Sequence, residues 1–282
     1  MCDKRAWLSP AKLNLFLYIT GRRADGYHNL QTLFQFIDYS DSLYFDRRQD
    51  DKICLQTEFT LVPHDDNLII KSANMLLTYM RQSQADFRPP FGIDITIDKK
   101  LPMGGGLGGG SSNAATTLIA LNQLWQLGLS TPVLMQIGQK LGADVPIFIF
   151  GLSAFAQGIG DELVAIDVPE KWYLVVKPNV EIATAKIFNA PSLKRDSVTR
   201  RIDELLTTPF NNDCEPTVRA LYPQIDDLIN RLSQFAPTRL TGTGSCIFSE
   251  CNTQEQAMQL QQHLAGEDVV CFIAKGINQL CR

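Results

Sequence analysis

The chain is 282 residues long, 45% hydrophobic and 20% charged, a globular mix that is long enough for about two domains and a core needing no metal or disulfide staple. Its 26 basic residues against 30 acidic ones leave a net charge of −4. That balance leans away from nucleic-acid binding, which calls for a basic face.

Residues 11–19 predict the first strand. Ala11, Leu13, Leu15, Leu17 and Ile19 share one face, and Lys12, Asn14, Phe16 and Tyr18 the other. A turn cluster punctuated by Gly21 and Gly26 follows, then strands over 30–37 and 42–46. Residues 66–82 read as an amphipathic helix with Asp66 or Asn67 available as its cap. Over 92–98, Ile93, Ile95 and Ile97 alternate with Asp94, Thr96 and Asp98, a half-buried strand. Six of the seven residues 104–110 are glycine, and Ser111, Ser112 and Asn113 then lead into a helix ending near Gly128. Ser130 or Thr131 caps the next helix, with Pro132 in its first turn. It closes before a short apolar strand at 147–150, a hairpin over 153–167 and a strand over 171–177. The domain change falls near 165–170, giving units 1–167 and 168–282. The second unit reads as a short helix (181–189), helices at 199–207 and 215–234, a glycine turn at 242–244, then strand (244–249), helix (253–265) and strand (268–274). That alternation suits an α+β sandwich better than a doubly wound sheet.

Seven cysteines at irregular spacing, without a C-x-x-C pair, argue against a disulfide framework or zinc site and for a reducing cytoplasm. The three histidines, His28, His64 and His263, are far apart, so no protein metal site is expected. Lys12 and Asn14 interrupt any signal-type apolar core near the start. No apolar run approaches the roughly 20 residues of a membrane helix.

The glycine run is the most informative segment. A glycine-rich entry to a helix exposes successive backbone N–H groups at the positive end of the helix dipole, which suits a polyphosphate. Such runs can also be mere linkers, but a strand before and a helix after favour phosphate binding. Gly104, Gly106 and Gly109 formally match G-x-G-x-x-G. Against a nicotinamide-type site, residues 99–103 separate them from the strand, and no Asp or Glu occurs between Asp98 and Asp144 to hold a ribose. The Walker pattern is absent too. Across that acid-free interval a polyphosphate would meet Lys99 and Lys100 without a sequence-local carboxylate repelling it.

Two charged residues have open readings. Asp144, in Gly142-Ala143-Asp144-Val145-Pro146, is either a turn or cap residue or a carboxylate able to accept a proton from an attacking hydroxyl. Lys12 either lies on a solvated strand face or belongs to a site with Asn14. Spacing alone does not bring the two together.

Three segments in order, PAKLNLFLYITGRRADGYHNLQT (10–32), LPMGGGLGGGSSNAATTLIALN (101–122) and RLTGTGSCIF (239–248), resemble the motifs of the GHMP kinase superfamily. The likeness extends through DNLI (66–69), LGADVPIF (141–148) and FIAKG (272–276), and so over essentially the whole chain. It implies an N-terminal domain like ribosomal protein S5 domain 2, a ferredoxin-like C-terminal domain and a site in the cleft between them. It also implies ATP with Mg2+ as phosphoryl donor. The PAKLNL, GYH and LGADVP pieces point to the branch that phosphorylates the 2-hydroxyl of a small acceptor, 4-(cytidine-5′-diphospho)-2-C-methyl-D-erythritol, in non-mevalonate isoprenoid synthesis. A homoserine or mevalonate type of kinase, or a silent nucleotide-binding relative, is the alternative.

Carried over by the resemblance, Asp144 would be the general base and Lys12 would hold the acceptor hydroxyl, with Asn14 contacting the erythritol part. Pro102, Met103, Gly104, Gly105, Gly106, Leu107, Gly108, Gly109, Gly110, Ser111 and Ser112 would form the ATP loop, with Asn67, Leu68 and Lys99 near adenine. Tyr27 and Phe188 would sandwich the cytosine, with His28 on its edge and Thr184 nearby, while Gly242, Thr243 and Gly244 would line the cleft from the second domain. Ala185 stands where a proline is familiar in the family.

Overall fold

The computed structural model describes residues 5–59 and 62–281, so Cys2 lies outside the described residues. The chain opens with a long antiparallel pair, β1 (Trp7–Arg22) and β2 (His28–Arg48). The two strands expected at 30–37 and 42–46 are one strand. Its polar middle is absorbed by a bulge where Pro10 pairs Ser40 and Ala11 pairs Ile37, and proline, lacking an N–H, suits such a break in the ladder.

A second register shift, between Asn14 and Phe16, corrects the expected faces of β1. An extra residue there reverses the alternation, so Leu17 joins Lys12 and Asn14 on the wall of one cavity, while Phe16 and Tyr18 turn into a core cluster with Leu13. One bulge thus separates the polar pair from the two aromatics that the sequence placed beside it.

After β3 (Ile53–Leu55) come α1 (Leu68–Ser83), β4 (Gly92–Asp98), α2 (Gly109–Leu124) and α3 (Thr131–Gln139). Asn67 caps α1, its Oδ1 accepting from the Ile69 N–H at 3.0 Å. The apolar run expected as a strand at 147–150 is instead a helix, α4 (Val145–Phe150). Pro146 sits in its first turn and Gly151 ends it in the left-handed conformation; a short run that is apolar on every side carries no period by which to tell helix from strand. The hairpin β5 (Ala154–Gln157) and β6 (Glu162–Ala165) follows as expected.

The remaining elements are β7 (Trp172–Pro178), α5 (Thr184–Phe188), α6 (Ile202–Leu206), α7 (Glu215–Leu221), α8 (Pro223–Leu232), β8 (Thr238–Leu240), β9 (Ile247–Cys251), α9 (Gln254–Gln262) and β10 (Val269–Ile277). The single helix expected over 215–234 is broken at Tyr222, because Pro223 bars the helical conformation from the residue before it. The three-residue strand β8 is too short to leave a pattern and was not expected. The glycine turn at 242–244 joins it to β9, which starts at Ile247 rather than 244.

In this half the order is β-α-β-β-α-β and the strands lie β8-β9-β7-β10, all antiparallel, a ferredoxin-like α+β sandwich. Leu174 and Val176 of β7 face the α7–α9 layer, while Tyr173 and Val175 face Leu13 and Phe16 of β1. β10 also pairs with β2 at Gly276–Ile37 and Ile277–Phe36, so the two halves share one continuous sheet. Cys54, Cys214, Cys246, Cys251, Cys271 and Cys281 are free thiols. Among the described residues no helix is long and apolar enough to cross a membrane.

Candidate active site

Four segments converge where the halves meet: β1, the glycine loop entering α2, the start of α4, and the turn between β8 and β9. They enclose two adjoining cavities of about 680 Å³ and 370 Å³ that share Gly106, Ser111 and Asp144 as a common wall.

Lys12 is only 2% exposed, so the solvated-face reading is set aside. Its Nζ donates to Asn14 Oδ1 at 2.5 Å and to the Gly106 carbonyl at 3.0 Å, and lies 3.3 Å from Asp144 Oδ2. Asn14 is itself fixed: its Nδ2 donates to Thr32 Oγ1 at 2.8 Å, and that hydroxyl donates to the Phe16 carbonyl at 2.6 Å. Burying an ammonium is tolerable only with such oxygen partners around it. Asp144 occupies the cap position of α4 but its side chain makes no capping hydrogen bond. The carboxylate, 37% exposed, turns to Lys12 and the cavity junction instead. Lys12 and Asp144, separated by 132 residues of sequence, are thus brought together in space.

The glycine loop is held between the halves. The Leu107 carbonyl accepts from Lys12 N–H at 3.0 Å, and the Gly105 carbonyl accepts from Cys246 N–H at 3.0 Å. Gly106 and Gly108 have φ of +77° and +73°; a Cβ on Gly106 would stand 2.5 Å from the Thr241 carbonyl, and one on Gly108 would stand 2.8 Å from the Phe148 ring. Only glycine fits that conformation with so little room. Gly108→Val is therefore expected to destabilise the fold by roughly 2–4 kcal/mol, as strained backbone and overpacking together do, checked by denaturant unfolding. Burial pushes the Cys246 thiol up to about 12, which rules it out as a thiolate nucleophile at neutral pH.

Around the smaller cavity stand Asn67, Leu68, Lys99 and residues 102–111, nearly the set expected from sequence. Two details differ. Lys99 is not an uncompensated cation, because its Nζ pairs with buried Asp41 Oδ2 at 2.7 Å, and Lys100 lies 3.8 Å from Asp98 Oδ2. The interval free of acids in sequence is not free of them in space. Asp41 also accepts from the Lys100 and Leu101 N–H groups, both at 2.8 Å, and so shapes the turn that leads into the loop. The Ser112 side chain is buried and accepts from Ser9 Oγ at 2.9 Å, so it faces β1 rather than the cavity, whereas Ser111 faces both cavities.

Along the larger cavity lie Asn14, Tyr27, His28, Thr184, Ala185, Phe188, Gly242 and Thr243; Gly244 is not on that wall. Tyr27 is 61% exposed on the β1–β2 connection. His28, in contrast, is buried and stacks on Phe188, ring centroids 5.0 Å apart. Burial first, then the Arg195 and Arg22 charges, hold His28 below the ordinary histidine range, so it is neutral at pH 7. The Thr184 and Thr243 hydroxyls meet at 3.1 Å.

Two supporting residues escaped the sequence reading. Asn212 Nδ2 donates to the Leu240 and Gly242 carbonyls at 2.9 and 2.8 Å, which sets the glycine turn against β1. Arg195 Nε donates to His28 Nε2 at 3.2 Å across 167 residues of sequence. Neither lies in a motif with recognisable spacing, so no local signal reveals it.

Residues 67–152 match the GHMP kinases N terminal domain and residues 192–268 the GHMP kinases C terminal domain. A curated 4-diphosphocytidyl-2-C-methyl-D-erythritol kinase of Vibrio cholerae serotype O1 is 54% identical over 96% of this chain and 91% of its own length. Among solved structures, a 4-(cytidine 5′-diphospho)-2C-methyl-D-erythritol kinase superposes with a TM-score of 0.82 at 26% identity, covering 96% of this chain and 99% of that one. The Methanococcus jannaschii mevalonate kinase shares the fold, with a TM-score of 0.73 at 18% identity over 98% and 99% of the two chains.

Proposed function

We propose, for a chain that belongs to the GHMP kinases and within them to the 4-diphosphocytidyl-2-C-methyl-D-erythritol kinases, that the cleft moves the γ-phosphoryl of ATP onto the 2-hydroxyl of the cytidine-diphosphate-linked methylerythritol. The observation that carries this reading is the Lys12–Asp144 pair at the junction of two cavities. On one side stands a glycine loop suited to polyphosphate, and on the other a pocket edged with aromatic rings and a neutral histidine.

In this reading ATP lies along residues 102–111 with adenine toward Asn67 and Leu68. The acceptor base enters between Tyr27 and Phe188, and the erythritol hydroxyl reaches Asp144 past Asn14. Asp144 accepts the hydroxyl proton as the new O–P bond forms and the bond from the γ-phosphorus to the β,γ-bridging oxygen breaks, releasing ADP. Lys12 supplies a fixed positive charge beside the developing negative charge, in a site where Asn14 and the Gly106 carbonyl have already set its position.

Among the described residues no three His, Cys, Asp or Glu side chains gather as a metal cage. An ion such as Mg2+ is held mostly by substrate phosphates, water and one or two protein oxygens. The Ser111 hydroxyl and the Asp144 carboxylate, both shared by the two cavities, are the hard oxygen donors that would hold it. When bound, Mg2+ neutralises phosphate charge.

ADP release with ATP and magnesium tests the reading, comparing the cytidylated acceptor with free methylerythritol phosphate, homoserine and mevalonate. Turnover confined to the cytidylated acceptor is the expected result. Turnover of homoserine or mevalonate instead would retain a kinase and discard the cytidine pocket. Tyr27→Ala is expected to raise KM for the acceptor about tenfold or more, since stacking an aromatic on a base is worth roughly 1–3 kcal/mol. KM for ATP should stay near wild type, because Tyr27 lines only the larger cavity.

A further inference from the structure

His28 and Phe188 are joined by more than their stacked rings. The Arg195 guanidinium stands behind both, and the protein accepts four of its hydrogen bonds. Its Nη2 donates to the Phe188 and Ala190 carbonyls at 2.9 and 2.7 Å, and its Nη1 to the Leu193 carbonyl at 3.0 Å. The remaining bond runs from Nε–H to His28 Nε2 at 3.2 Å. A guanidinium has donors only and keeps its protons. His28 Nε2 must therefore accept, and the imidazole proton must reside on Nδ1. No carboxylate pairs with Arg195 among the described residues within ion-pair distance, so its cationic charge also opposes a second proton on the ring. Among the described residues Nδ1 has no hydrogen-bond partner, and His28 borders the larger cavity.

We propose that Arg195 is a positioning residue for base selection: by holding His28 as the Nδ1–H tautomer, it makes that wall of the cavity a hydrogen-bond donor, which favours cytosine over uracil. This rests on the cytidine-linked acceptor proposed above. The chemistry is in the pyrimidine edge, where N3 of cytosine accepts while N3–H of uracil donates. Two donors facing each other in a desolvated pocket leave both unpaired, and a mismatch of that kind discriminates far more strongly than a missing methylene does. Without Arg195 the imidazole could carry its proton on either nitrogen and accept from uracil. The hold on Phe188 is part of the same device, because the arginine that sets the tautomer also ties down the carbonyl end of α5.

The test uses the full chain with 15N-labelled histidine. The chain has three histidines, and the resonances lost in His28→Gln identify those of His28. The expected wild-type spectrum has a protonated Nδ1 and an unprotonated Nε2, whereas Arg195→Met shows the opposite or an average. The ratio of kcat/KM for the cytidine-linked over the uridine-linked acceptor should fall at least about tenfold in Arg195→Met, mostly through KM. Arg195→Lys, which can still donate one hydrogen bond to His28, should recover part of it. Melting temperature and KM for ATP report the folding of each variant; if Arg195→Met does not fold, the wild-type spectrum and Arg195→Lys decide.

A wild-type His28 protonated on Nε2, or an Arg195→Met variant that changes neither tautomer nor base ratio, overturns the proposal. Absence of wild-type turnover on the cytidine-linked acceptor overturns the proposed function instead, and the tautomer spectrum still judges Arg195 separately.

Discussion

Asp144→Asn is expected to lower kcat by about two to four orders of magnitude, the range a positioned general base contributes, while leaving the fold intact. The substitution keeps the shape of the side chain and an oxygen that Lys12 can still meet, but removes the basic oxygen that would accept the hydroxyl proton. Lys12 retains Asn14 Oδ1 and the Gly106 carbonyl, so no buried charge loses its other partners. The Asp144 side chain is more than a third exposed, so water screens its share of the pair, and with an Asn oxygen still facing Lys12 the loss is expected to cost about 1 kcal/mol. Steady-state kinetics with saturating ATP and acceptor, beside a melting curve, check both halves of the expectation. Wild-type kcat in the Asp144→Asn variant would remove this carboxylate from the role of base.

Lys12→Ala should cost activity and stability together. Removing one preorganised cation from beside the transferring group is expected to lower kcat by about 10²–10³. It also strips a buried acceptor, Asn14 Oδ1, and the Gly106 carbonyl of their donor. Leaving the buried Asn14 Oδ1 unsatisfied costs about 1–3 kcal/mol. Denaturant unfolding should therefore show a lower midpoint for Lys12→Ala and a nearly unchanged one for Asp144→Asn. The double variant is expected to lose little more kcat than the worse single one, because residues acting as a unit are strongly non-additive. Fully additive losses would show that the two side chains act separately.

Much of this site is legible in the sequence. The glycine run between a strand and a helix is readable as a candidate phosphate loop through backbone chemistry alone, since bare N–H groups at a helix start need no particular tertiary partner. Asn67 is readable as a cap because capping is a local hydrogen bond, here to Ile69 N–H. The 92–98 strand is readable because alternation with period two is local as well. The order of three motifs then carries the family and its two-domain plan, which sequence comparison and superposition support.

The misreadings share one cause: each depends on something outside its own window. The bulge after Asn14 is set by pairing with β2, and it decides which neighbours Lys12 has. The run at 147–150 is a helix entered at Pro146 and closed by Gly151, and it is buried on nearly all sides, a setting in which periodicity is silent. Lys99 looks free of carboxylates until β2 brings Asp41 to it.

By itself, then, the sequence determined the glycine run between a strand and a helix, the Asn67 cap and the 92–98 strand, and the kinase family, since each is written in local backbone chemistry or in ordered motifs. Only the tertiary structure decided that Lys12 is buried and paired with Asp144, that His28 is held by Arg195, and that two cavities share one wall. Those facts arise where chain segments far apart in sequence are packed out of water. Burial and long-range partners there, and not residue type, set what a charge can do.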